Sequence, residues 1–547
     1  MNNFVTDLDT PLLRLTAKDN FSLRDSFNGV QCFGAIGSGK TSGAGRALAG
    51  AYLRAGMGGL VLCAKPEEVE LWQSYCRQHG RERSMIVFDE SKGCNFIAYE
   101  FARKGADAAS SVTDSIMRIL KAADLAAGQG GGKEGEQFWI NTTREMLLYT
   151  IAALYGATGN VTVSDIVEFV TTMPTRPPAT PEESRVLDNN FAMQILYRFE
   201  KTPARPVDPH FKKTVRRYWL FQYVAMPEKT RGSIVTNVTS NLNRFSSGLL
   251  RKCFCADTTI VPEMCFAGSI IILAFPTLSY NEEGIVAQTL FKFLFQRAVE
   301  SRNSLAPSFK ERPVFLYADE AQFFVGAYDD TFLSTCRGSK CAVVYLTQSL
   351  PTYYAMLGRD RSDAVDGFVG KFNSKIFHLN ADPRTNSYAS SLIGRGLQTR
   401  QTSSETTGSS TQRTQSHTSN DSVSHTLGKS TSWGTQHGSS GFFFPTNLNR
   451  SANDGGGSNW SVATQRGSNY SDGITDGENH SVTSGGNEQV DTRVESNFFS
   501  EHLRNGGPEN NYEVTGVWFK AGGRFNSPMP NAGSNVILAT FQQERRA

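Results

Sequence analysis

Gly34-Ala-Ile-Gly-Ser-Gly-Lys-Thr41 follows the apolar run Val30–Phe33 and opens an Ala-rich helical stretch that continues to Arg54. A strand, a glycine loop and a helix in that order are the setting a phosphate-binding loop requires. Gly34, Gly37 and Gly39 let the backbone wrap closely, and the amides from Gly37 through Ser38 to Thr41 form an anion nest at a helix start. Lys40 is expected on the β and γ phosphates and the Thr41 hydroxyl on Mg2+, so ATP and Mg2+ are the implied cofactors.

Outward from this loop, Gly59–Ala64 (GLVLCA) and Met85–Phe88 (MIVF) are short apolar runs separated by helical stretches. That alternation predicts a parallel, doubly wound α/β sheet. Runs that are apolar throughout, rather than alternating, imply strands covered by helices on both faces. From about 104 to 260 helical periodicity dominates instead, in Phe138–Ala153, Val215–Ala225 and Thr230–Phe245, around a loop at 174–188 with four prolines. The α/β pattern then returns in Ser269–Phe275, a helix over Glu283–Glu300, Val314–Ala318, Ala342–Leu346 and Ser374–Leu379. One nucleotide-binding domain is thus read as split: 1–103 and 263–395, with an all-α insertion at 104–262.

Two later strands carry matching chemistry. Val314-Phe-Leu-Tyr-Ala-Asp319-Glu320 is an apolar strand ending in two carboxylates; Asp319 would hold Mg2+ through its water shell and Glu320 would act as general base. Ala342-Val-Val-Tyr-Leu-Thr347-Gln348 places Gln348 where it can sense the γ-phosphate and orient water. In ring ATPases an arginine from a neighbouring subunit completes the site. Arg337, just before that strand, is the first candidate, ahead of Arg384 and Arg361. Lys65, ending the second strand, stands where the ligand crevice of such sheets lies, near nucleotide or a translocating strand, with a solvated lysine as the alternative. Phe138, Trp139, Tyr218 and Trp219 could stack on bases, with helical core packing the favoured use.

The chain has 547 residues, enough for about three to four units. Lys plus Arg total 55 against 52 Asp plus Glu, a net charge of +3, which excludes a globally basic nucleic-acid binder and leaves only local patches or an assembly. Nine cysteines show no CxxC spacing, which argues against a disulfide framework or zinc site. Cys63 and Cys341 read as buried hydrophobes; Cys253 and Cys255 are read as structural, with a soft metal as the alternative. No signal peptide opens the sequence, and the longest apolar runs, such as Ile270–Pro276, fall short of a span of about 20 residues.

Residues 396–505 differ from everything before them. About half of 401–440 is Ser or Thr, and only Val423 and Leu427 there are aliphatic. Such a stretch cannot bury enough surface to offset its own ordering, so a flexible linker is expected. Ser/Thr-rich hairpins that order where subunits meet are the alternative. At 506–547, Tyr512–Lys520 and Asn535–Phe541 read as paired strands returning to the core.

The combination GAIGSGKTSG, GLVLCAKPEE, the Phe-Trp-containing helical insertion, FLYADEAQFF, VVYLTQS and the segment Phe372–Gly394 resembles the coupling proteins of type IV secretion and bacterial conjugation, TraG/TraD-like members of the HerA/FtsK group of DNA-pumping ATPases. It covers roughly 25–395 and the last stretch. The resemblance implies a RecA-like P-loop NTPase domain with an inserted all-α domain, a homo-hexameric ring with nucleotide between subunits, and single- or double-stranded DNA passing through a central pore. It implies secretion-channel or relaxosome proteins as partners, and a cytoplasmic location with partners as the route to the inner membrane. Two departures stand out: typical members carry N-terminal transmembrane helices, and many have Asp-Pro-Lys-Gly where this chain has Ala64-Lys65-Pro66-Glu67. The leading expectation is an ATP-driven DNA translocase or coupling ATPase. A HerA-like or viral-type packaging or defence motor, and a nucleotide-gated docking platform with little turnover, remain as alternatives.

Overall fold

The computed structural model describes residues 4–126, 136–358, 362–414, 425–431, 456–462 and 473–544. The chain divides into two units, one of Met1–Ala389, Ser496–Met529 and Ser534–Ala547, the other of Ser390–Glu495 and Pro530–Gly533.

In the first unit the strands are β1 (Pro11–Arg14), β2 (Asn20–Ser22), β3 (Val30–Phe33), β4 (Gly58–Leu62), β5 (Met85–Phe88), β6 (Ile270–Leu273), β7 (Val314–Ala318), β8 (Cys341–Thr347) and β9 (Ser374–Phe377). In the second are β10 (Arg395–Thr414), β11 (His425–Thr431), β12 (Gly456–Val462) and β13 (Gly473–Thr492); β14 (Glu513–Lys520) and β15 (Val536–Gln542) return to the first. The central sheet has nine strands in the order β15-β14-β9-β3-β8-β7-β4-β6-β5. From β9 to β5 all neighbours are parallel. β14 joins β9 antiparallel and β15 closes the edge. This is the α/β, RecA-like sheet expected from the sequence, and all nine apolar runs lie in it. Every residue of β3, β4, β6, β7, β8 and β9 is buried, the signature of strands covered on both faces.

Among the described residues, ten α-helices between Phe96 and Phe254 separate β5 from β6. Their core centres on Trp219, whose ring lies 5.0 Å from those of Phe169 and Tyr218. Tyr218 and Trp219 are thus core residues, as expected. Phe138 and Trp139 are not: they remain 56% and 40% exposed. They occupy the first turn of the helix Glu136–Thr158, ahead of its buried residues, which begin at Thr143 and extend to Ala157. Among the described residues no single helix is long and apolar enough to cross a membrane.

The second unit corrects the expectation of a flexible linker for its described residues. β10 pairs antiparallel with β13 over twenty consecutive positions, Arg395 opposite Thr492 through Thr414 opposite Gly473, and β11 pairs with β12. Ladders satisfy backbone donors and acceptors without an apolar core, and Thr suits extended backbone. Composition alone therefore understated the local order. Residues 415–424, 432–455 and 463–472, including Val423, lie outside the described residues.

Candidate functional site

The site forms where β3, β4, β7 and β8 end on one edge of the sheet. After β3, Gly37 and Gly39 take positive φ (74° and 81°), turning the chain into a loop that leads into the π-helical turn Thr41–Gly45 and the helix Arg46–Arg54. A Cβ on Gly34 would come within 2.4 Å of Ser38 Oγ, so only glycine leaves this cradle open. Ser38 Oγ is buried without a hydrogen-bond partner, an orphan that a phosphate oxygen would satisfy. Lys40 is buried at its mouth.

Opposite the loop, Thr41 Oγ1 donates to Asp319 Oδ2 at 2.5 Å. This hydroxyl–carboxylate pair suits a divalent cation, so the residues present fit both polyphosphate and Mg2+. Glu320 follows in the left-handed region, φ 47° and ψ 47°, a strained conformation for a non-glycine residue. Its Oε1 meets Lys65 Nζ at 3.0 Å and Lys40 Nζ at 3.6 Å. Burial pushes the Glu320 carboxyl up, but the Lys40 charge and the bonds from Gln322 and Lys65 outweigh it and hold the group below the usual glutamate value. It is therefore an ionised carboxylate in a buried setting.

Gln322, which sequence reasoning passed over, is the better-placed glutamine. Its Nε2 donates to Glu320 Oε2 at 2.9 Å, while its Oε1 accepts from Thr347 Oγ1 at 2.8 Å. Gln348 Nε2 reaches the same carboxylate oxygen only at 3.4 Å. Glu68 was also missed. It accepts from the amides of Ala64 and Lys65 at 2.7 and 3.3 Å and so fixes the turn that presents Lys65. Burial and the Asp319 charge push its carboxyl up to about 8. The signals were present: Gln322 lies two residues past the acid pair, and Glu68 three residues past Lys65, where a helix start favours an acceptor.

Gly34, Gly37, Ser38, Gly39, Lys40, Thr41, Asp319, Glu320 and Gln348 are thus brought together, and Arg337 is not. It is exposed just before β8, whose seven residues rise about 20 Å from that end to Thr347, so it lies on the opposite sheet edge. Arg384 is exposed at the start of the helix Pro383–Ile393, on the site's own edge, where Asn380 Nδ2 donates to Gln348 O. Arg361 lies outside the described residues. An open cleft of about 580 Å³ runs from Ala35–Ser42 past Arg46, Leu71 and Tyr75 to Pro508, Tyr512, Gln543 and Glu544.

Residues 313–442 match the family described as the TraM recognition site of TraD and TraG. The structure superposes on the bacterial conjugative coupling protein TrwBdeltaN70 in its unbound monoclinic form, at 12% identity and TM-score 0.53, covering 99% of this chain and 91% of that one. It superposes equally on the plasmid coupling protein TrwB in complex with ADP and Mg2+, at 12% identity and TM-score 0.53, with 98% and 92% covered. No curated protein sequence matches the chain.

Proposed function

We propose that this chain, whose fold is that of the conjugative coupling proteins and whose residues 313–442 match the TraD and TraG family, is an ATP-driven coupling ATPase that delivers DNA or a nucleoprotein to a secretion channel. The observation that carries the reading is the cluster of Lys40, Thr41, Asp319 and an ionised, strained Glu320 at one sheet edge.

In this reading the loop amides and Lys40 bind the β and γ phosphates. Thr41 and Asp319 would hold Mg2+, which supplies positive charge that offsets the developing negative charge on the phosphate oxygens. Glu320 accepts the proton of the attacking water, and Gln322, tied to Thr347, fixes the carboxylate's orientation. Lys65 neutralises Glu320 before water arrives and must give way for the carboxylate to act. Gln348 is the γ-phosphate sensor beside it. Arg337, exposed just before β8, is the first candidate for an arginine that serves a neighbouring subunit's site, and Arg384 is the alternative.

A homo-hexamer with a central DNA pore would concentrate positive charge that a net +3 chain lacks singly. The TraD/TraG match makes a relaxosome component of the TraM type the implied protein partner, and recruitment by such partners would place the chain at the inner membrane. A docking platform with little turnover is the weaker reading, because Glu320 is held ionised in a strained backbone. ATP hydrolysis with and without single- and double-stranded DNA, with light scattering on the same sample, tests the proposal. DNA-stimulated turnover by an oligomer, lost in Lys40→Ala and Glu320→Gln, supports it; a nucleotide-bound monomer with no turnover in any condition overturns the motor.

A further inference from the structure

The cleft extends well beyond what a triphosphate needs. Past the phosphate loop its lining changes character: Leu71 and Tyr75 come from the helix Pro66–Gln78, and Pro508 and Tyr512 come from the segment before β14. Gln543 and Glu544 follow β15 at the end of the chain. This end of the cleft is fastened to the phosphate site. Gln543 Nε2 donates to Ser42 Oγ at 2.6 Å, and Glu544 pairs with Arg46, both partners standing within five residues of Lys40 or Thr41. Gln543 Oε1 also accepts from the Gly507 amide at 3.0 Å, joining the two C-terminal pieces. Gly506, Gly507, Asn511 and Tyr512 all have positive φ, and for Tyr512, at 60°, that is a costly conformation in a bulky side chain. Sheet order explains the proximity, because β14 lies two strands from β3 and brings the C-terminus beside the loop.

We infer that the segment 506–512 and the tail residues Gln543 and Glu544 form the subsite for the nucleotide's base, with Tyr512 and Pro508 packing on a flat heteroaromatic ring above a floor of Leu71 and the buried Tyr75. This rests on the nucleotide reading above and assigns its base recognition to the far end of the chain. Aromatic and proline faces suit a flat ring, while the charged end of the cleft suits phosphate. The volume, about 580 Å³, is that of a small-ligand site rather than a phosphate hole.

The test compares binding of MgATP and magnesium tripolyphosphate to the full chain by titration calorimetry. The variants are Tyr512→Ala, Gln543→Ala and a chain ending at Gln542. The expected result is that the parent binds ATP at least about tenfold more tightly than tripolyphosphate, and that the variants lose about tenfold in ATP affinity with tripolyphosphate unchanged. Retained tripolyphosphate binding shows in the same experiment that the loop is folded. Equal affinity of the parent for the two ligands, or variants that leave ATP affinity intact or lower both affinities alike, overturns the base subsite and leaves the phosphate-loop reading standing. A parent that binds neither ligand overturns the nucleotide reading itself and this inference with it.

Discussion

Two buried lysine–carboxylate contacts in the sheet unit are built differently. Lys292 meets Asp329 at 2.6 Å with both side chains almost fully enclosed. Asp329 spends all its acceptor capacity: Gln296 and Tyr345 bond one oxygen, Lys292 and the Gly326 amide the other. The second contact, Lys40 and Lys65 on Glu320, is longer on the Lys40 side, has a strained backbone and sits beside an orphaned Ser38 hydroxyl. Burial lowers the Lys292 ammonium, with Asp329 only partly offsetting it. A closed network holds the chain in place, whereas an open one leaves room for a ligand to complete it.

The largest expected effect tests the closed network. Asp329→Ala would strand a buried ammonium and cost about 4 kcal/mol of stability in urea unfolding. A loss below about 1 kcal/mol would erase the contrast. Next, Glu320→Gln should lower ATP turnover by about 10³-fold while moving unfolding stability by less than about 1 kcal/mol; a stability loss matching that of Asp329→Ala would make both networks structural.

His378 sharpens the comparison through pH. It sits against Gly34, gives Nδ1 to Thr515 O at 3.0 Å and leaves Nε2 buried without a partner. Burial, with a further contribution from Lys40, pushes its imidazole down to about 4. The unfolded chain takes up a proton as pH falls through about 6.5, and the folded chain does so only near 4. Stability is therefore full above about pH 6.5 and falls by up to about 3 kcal/mol on going to pH 4. His378→Asn should flatten that slope in urea titrations at several pH values. The smallest effect belongs to Gln322→Ala, expected to lower kcat about tenfold with nucleotide affinity retained. A larger loss in Gln348→Ala than in Gln322→Ala would return the orienting role to Gln348.

The strands and both acid and phosphate motifs were legible because each is a local pattern: an apolar run followed within a few residues by glycines or carboxylates. What joins them was not. Lys65 and Glu320 are 255 positions apart, and Gln543 and Ser42 are 501 apart, so only sheet order brings them together. Gln322 was quoted within its motif but its bond to Thr347 depends on how β7 and β8 align. Phe138 and Trp139 misled because helical periodicity gives a face but not where along the helix a neighbour covers it. The Ser/Thr-rich stretch misled for the opposite reason: hydrophobicity measures core formation, and the ladder of β10 with β13 needs none.

The attachment of the last strand beside the first loop also orders events at the ribosome. The phosphate loop emerges first, and Gln543, which is tied to its Ser42, follows by 501 positions. At about 5–20 residues per second, translation of the roughly 500 residues between them takes on the order of half a minute or longer. Throughout that interval the nascent chain carries a loop with an open flank, and any chain that terminates early keeps it.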